Sequence, residues 1–187
     1  MPEEPITKLK VAERQLSEAI RLFFERRDIV AVHTLAAASD QVLSDICVAR
    51  GMESQLRHHA DFIRDEACKE YFRLLKRAEN FFKHADRDPE GILEFRAEQT
   101  VVLLFDSVVL LWRLTQTLTH EARTFLCWLF VYKPDWFRDG PFKESLKNWV
   151  NSTGVPSGDL AFFSRLVTQG KSLSPHSGTF PARSGHA

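Results

Sequence analysis

Apolar residues recur at spacings of three and four from Lys8 to Arg27, where Leu9, Ala12, Leu16, Ile20 and Phe23 share one face. That period predicts an amphipathic helix over 8–27, with Thr7 as its cap. Asp28 then opens a second helix over 29–49, and Gly51 closes it, as a glycine past a helix end does. A third long helix is predicted over 65–84. In ‘DRDPEGI’, Asp88, Pro89 and Glu90 read as a helix start, with a capping carboxylate, proline at the first helical position and an acid at the positive dipole end. The fourth helix is therefore predicted over 88–118, and it is apolar nearly all round between Val101 and Leu114, which makes it the most buried element. Shorter helical patterns follow over 119–132, 142–150 and 159–167. ‘TFLCWLFVY’ has strand propensity, but a lone strand has no partner, so helix is expected there.

These elements predict an all-α fold: an up-and-down bundle of about four long helices with a smaller C-terminal helical appendage. The chain divides into a bundle over 1–118, an aromatic-rich appendage packed on it over 119–168, and a flexible tail rich in Gly, Ser and Pro over 169–187. The 187 residues are 44% hydrophobic and 27% charged, which excludes a disordered chain and supplies a full core. Lys plus Arg and Asp plus Glu both number 25, so the formal net charge is zero. A broad basic surface is thereby excluded, and any contact with nucleic acid must use a local patch.

The longest apolar run, ‘VVLLFDSVVLLW’, is about half of the roughly 20 residues a membrane span needs. The opening ‘MPEEPITKLK’ lacks the apolar segment of a signal peptide. Cys47, Cys68 and Cys127 are widely spaced and odd in number, which fits reduced thiols in a cytoplasmic protein. A cytoplasmic location without membrane association is the expectation.

Chemistry concentrates in ‘RLLKRAENFFKHADRDPEGI’, residues 73–92. On a helix advancing about 100° per residue, Leu74, Leu75, Ala78, Phe81, Phe82 and Ala85 make one apolar face. Arg73, Arg77, Asn80 and His84 fall in a file beside it, spanning about 60°. Arginine offers a planar fork for phosphate, imidazole moves protons near neutral pH, and asparagine holds an oxygen or orients the imidazole. Together they can bind a phosphodiester and assist attack by a ribose 2′-hydroxyl without a metal. Arg77 and His84 are two turns apart, about 10 Å along the axis. A two-fold dimer brings a second copy across such a gap.

The spacing of Arg77 and His84 also resembles the R-x(4–6)-H motif of HEPN domains. The strings ‘NFFKHADRDP’, ‘AERQLSEAIRLFFERRD’ and ‘VHTLAAASDQVL’ are similar to uncharacterised bacterial HEPN-like proteins, over roughly residues 8–118. The resemblance implies an up-and-down helical bundle, usually dimeric. It implies metal-independent RNA cleavage in catalytic members, often in defence or toxin–antitoxin systems, with a cognate antitoxin or regulatory protein as partner. Arg77 would contact the scissile phosphate and His84 would handle protons. The polar residue that often follows the motif’s arginine is Ala78 here.

The candidate catalytic residues are therefore Arg77, His84 and Asn80. Arg73 and Lys83 are candidates for holding RNA, while His33 and Asp86 are expected to support the site from behind. His33, on an otherwise apolar helix, also reads as a core residue. Asp40 and Asp45 are expected to be solvated or capping. His84, Asp86 and Asp88 carry the donor types of a metal site, but Asp88 is already assigned as a cap and Asp86 to a turn, so no metal or cofactor is expected. The aromatic residues Trp128, Phe130, Tyr132, Trp136 and Phe137 read as core or interface. The alternative to an RNA-directed protein is a non-catalytic helical dimer that binds a partner protein or a ligand.

Overall fold

The computed structural model describes residues 4–52, 77–86, 88–137, 139–154 and 159–169. Among these residues the secondary structure is entirely helical, with no strand. Helix α1, Lys8–Phe24, starts where the Thr7 hydroxyl accepts a hydrogen bond from the Lys10 amide at 3.2 Å. Its buried stripe of Ala12, Leu16, Ala19, Ile20 and Phe24 follows the expected period. The helix ends three residues before the expected Arg27. Arg26 turns into the left-handed region at φ 55°, and the Arg26 and Arg27 amides bond back to the Phe23 and Leu22 carbonyls. These paired bonds satisfy the last carbonyls and stop the helix without a glycine.

Helix α2, Ile29–Ala49, has the boundaries its pattern predicts. The Asp28 carboxylate accepts from the Val30 and Ala31 amides at 3.0 and 3.1 Å. At the other end, Gly51 adopts φ 70°. A four-residue connection, 25–28, makes α1 and α2 antiparallel neighbours. Residues 77–83 form the described part of helix α3. The remainder of the expected third helix, with Arg73, and the segment ‘ESQLRHHADFI’ lie outside the described residues.

Helix α4 is Ala97–Thr115. It begins nine residues after the expected start at Asp88. Residues 88–91 instead form a turn closed by the Gly91 amide on the Asp88 carbonyl at 3.1 Å, so Asp88 caps no helix. A run of Asp, Pro and Glu suits a turn as well as a helix start, and here the chain uses it to change direction. Arg96 occupies the cap position of α4 with no side-chain hydrogen bond. Every residue from Gln99 to Leu111 is buried, including Asp106, so α4 is the central helix that its all-round apolar pattern predicts. α2 packs between α1 and α4.

Helix α5, His120–Tyr132, is capped by Thr119. A short 3-10 turn, Pro134–Trp136, leads to α6, Pro141–Thr153, and then to α7, Leu160–Gln169. The expected tail lies outside the described residues beyond Gln169. One apolar cluster runs through Leu16, Ile20 and Phe24 of α1, Val32 and Leu43 of α2, Leu104 and Val108 of α4, Phe125 and Trp128 of α5, and Phe163 of α7. Phe24 meets Trp128 edge-on at 5.9 Å and stacks on Phe163 at 5.9 Å. The Arg21 guanidinium also reaches the Glu121 carboxylate at 2.5 Å, tying α1 to α5. Residues on both sides of Leu118 thus share one core. No helix among the described residues is long and apolar enough to cross a membrane.

Candidate functional site

Of the apolar face expected on α3, Phe81 and Phe82 are half-buried, while Ala85, past the helix end, is exposed. Ala78 is buried against the bundle, while Arg77, Asn80 and His84 are exposed. The His84 amide still donates to the Asn80 carbonyl at 3.0 Å, so His84 keeps the helical register although the helix ends at residue 83. Beyond it the chain folds back through the 88–91 turn. The helix flank and the turn together enclose an open cavity of about 540 Å³ lined by Arg77, Asn80, Phe81, His84, Asp86, Asp88 and Ile92. That volume lies in the range of about 300–1,000 Å³ typical of small-ligand sites.

The cavity has two chemically distinct sides. The helix supplies a guanidinium, an amide and an imidazole. Asp86, just past the helix, and Asp88, at the turn, supply two carboxylates, and Asp86 Oδ1 is 3.9 Å from His84 Nδ1. His84 retains 62% of its side-chain exposure, so the ring is open to solvent and to a ligand. The Asp88 carboxylate packs directly over Gly91, in the space a Cβ at position 91 would occupy. Glycine at 91 therefore serves a close approach: it lets the acid fold back across the turn. Ile92 is 90% exposed at the edge of the cavity, an unusual position for a large apolar side chain.

The structure thus brings Arg77, Asn80, His84 and Asp86 to one cavity, and it separates the other candidates from it. Lys83 does not line the cavity. Its ammonium bonds the Glu79 carboxylate at 2.7 Å, one turn back on the same helix. Ala78, where the motif often has a polar residue, faces the core, so a polar group there would be directed away from the cavity. Arg73 lies outside the described residues.

His33 is fully buried and does not line the cavity. It is enclosed by Phe82 at 5.4 Å and Phe95 at 5.0 Å, both edge-on, and its Nδ1 shares a hydrogen bond of 3.1 Å with Thr100 Oγ1. Its Nε2 is buried without a hydrogen-bond partner among the described residues. Burial of the ring lowers its pKa to about 4, against a smaller upward pull from Glu79. His33 therefore helps seat α3 on the bundle through Phe82, which adjoins the cavity residue Phe81. Asp40 corrects another expectation. It is buried on α2, because its helical phase matches Ala36, Ala37, Leu43 and Cys47. Asp45 is exposed and accepts from Gln41 at 2.8 Å.

Two cavity residues carry no sequence signal of their own: Phe81 reads as core and Ile92 as the first apolar residue of a helix. Asp88 had a signal, but the proline beside it points to capping. Among the described residues, no group of three or more His, Cys, Asp or Glu side chains is arranged to hold a metal ion. Cys47 and Cys127 are buried free thiols, and desolvation raises the pKa of both. Phe125 and Trp128 are buried, as a core role for the aromatic segment requires, while Tyr132 stacks on Trp128 at 4.9 Å and remains partly exposed. No family model, curated protein or solved structure matches this chain.

Proposed function

We propose that this chain is a HEPN-like protein that binds RNA in the Arg77–His84 cavity and cleaves it without a metal. The observation that carries this reading is the accessibility of the file: Arg77, Asn80 and His84 line one open cavity and are not consumed in closing the bundle. Arg77 makes no ion pair or hydrogen bond among the described residues, so its fork is available for a phosphate. In the reaction, the 2′-hydroxyl attacks the adjacent phosphorus. A 2′,3′-cyclic phosphate forms and the 5′-oxygen of the next nucleotide leaves as a hydroxyl. One proton is removed from the 2′-oxygen and one is delivered to the leaving oxygen. His84 carries one of these transfers, and Asn80 orients the ring or holds a phosphate oxygen. A second copy of the chain in a homodimer supplies the other proton-transfer group across the roughly 10 Å that separates Arg77 from His84. The family resemblance supports a cytoplasmic setting in defence or toxin–antitoxin biology, with an antitoxin or regulatory protein as partner.

The test is incubation of purified protein with structured and unstructured RNA in EDTA, with light scattering to give the oligomeric state. The expected result is cleavage by a dimer, reduced by about 10²–10⁴-fold in His84→Ala, the usual contribution of a proton-transfer group. Cleavage unaffected by that substitution removes the mechanism. A dimer that binds RNA or protein but leaves RNA intact supports the second reading, a non-catalytic helical module. The balanced net charge, and Ala78 where the motif often carries a polar residue, favour that reading.

A further inference from the structure

The carboxylates of the cavity need an explanation that a phosphate alone does not provide. Asp86 and Asp88 face the same space as Arg77 and His84. Two acids beside a polyanion repel it unless the ligand brings hydrogen-bond donors to them. The spacing restricts where those donors lie. Asp86 Oδ1 is 3.9 Å from His84 Nδ1, so an acceptor for the ligand’s donor stands next to the group that meets its phosphate. In a nucleic acid, the donor nearest a phosphate is the 2′-hydroxyl of the sugar on its 5′ side. Base amines lie farther out. DNA has no hydroxyl there.

We propose that Asp86 and Asp88 form a hydroxyl-reading wall that makes this cavity selective for ribose over deoxyribose. The assignment rests on the reading of Arg77 and His84 as the phosphate side. Asp88 reaches across the turn because its carboxylate occupies the space that a Cβ at position 91 would fill. Ile92, 90% exposed at the rim, offers an apolar surface to a base without distinguishing one base from another. The wall therefore reads the sugar and tolerates any base. A lost hydrogen bond to a charged acceptor corresponds to roughly tenfold or more in affinity.

Adenosine 3′-monophosphate and 2′-deoxyadenosine 3′-monophosphate test this directly, since neither contains a cleavable internucleotide bond. Their affinities for the full chain are measured by calorimetry, alongside guanosine, cytidine and uridine 3′-monophosphates and an RNA oligomer in His84→Ala protein. The wild type is expected to bind the ribonucleotide about tenfold more tightly than the deoxynucleotide. All four ribonucleotides should bind within a few-fold of one another. In Asp86→Ala/Asp88→Ala the preference should fall to about one, while affinity for the deoxynucleotide is unchanged or rises as the repulsion is removed. Circular dichroism checks that this variant keeps its helices, as expected for two exposed residues. Equal binding of ribo and deoxy ligands that still depends on Arg77, or a preference that survives the double substitution, overturns the ribose assignment alone. Selection of one base by more than about tenfold also overturns it, in favour of base recognition by the acids. Failure of every nucleotide and of the RNA oligomer to bind removes the phosphate reading as well.

Discussion

At position 33 an imidazole is enclosed between two phenyl rings, and its proton affinity follows from that enclosure. Burial lowers its pKa from 6.5 to about 4, with the Glu79 carboxylate opposing the shift and Lys83 adding to it. The unfolded chain therefore takes up this proton near pH 6.5 and the folded chain only near pH 4. Stability from this group is fully present above about pH 6.5 and is lost as pH falls toward 4, by on the order of 3 kcal/mol. Urea unfolding at pH 7 and pH 4 measures it: the wild type should lose that much more stability across the interval than His33→Gln. An equal loss in both proteins would show that other groups carry the acid sensitivity. Arg77 poses the opposite case. It is exposed and has no partner among the described residues, so Arg77→Ala should change stability by less than about 0.5 kcal/mol. The same substitution should weaken RNA binding by roughly tenfold or more. A variant that unfolds in parallel with its loss of binding would assign Arg77 to the scaffold instead.

Among the helices, beginnings and ends are decided by short-range hydrogen bonding. Thr7 and Asp28 cap the helices their positions announce, and Thr119, expected as the first residue of a helix, caps α5 instead, because the side-chain oxygen reaches amides two or three residues ahead. The exception is the start of α4. Asp88, Pro89 and Glu90 form a turn, and the helix begins at Ala97 behind an arginine that donates no cap and places its charge at the positive dipole end. Arg96 has extended backbone at φ −110° and ψ 130°, suited to a capping side chain. Arg96→Asp is therefore expected to stabilise the protein by about 1 kcal/mol, read as a rise in the urea midpoint without a change in slope. A neutral or lower midpoint would mean that the arginine makes a contact stronger than the missing cap. The displaced start also has a functional side. Asp88 and Ile92 are free to form the second wall of the cavity because they are not wound into α4.

For the molecule as a whole, the apolar cluster crosses every apparent boundary in the chain. Phe24 of α1 lies against Trp128 of α5 and Phe163 of α7, so the first and last thirds of the sequence are parts of one core. Trp128→Ala should cost about 3–5 kcal/mol, the usual range for a large aromatic side chain removed from a core. A chain ending at Leu118 would expose Ile20, Phe24 and their neighbours, and it should lose its near-ultraviolet dichroism and its cooperative thermal transition. A sharp transition in that fragment would show that the bundle is complete without the aromatic helices. The sequence alone determined the helical class, the boundaries of α2, the burial of α4 and the placement of Arg77, Asn80 and His84 on one flank of α3. Each of these depends on the period of the helix or on contacts within a few residues. Only the tertiary structure decided that Asp86, Asp88 and Ile92 meet Arg77 and His84, that His33 turns to Phe82 and Phe95, and that Asp40 is buried. Those outcomes depend on how helices distant in sequence pack and where a turn redirects the chain, and no local pattern of polar and apolar residues encodes that direction.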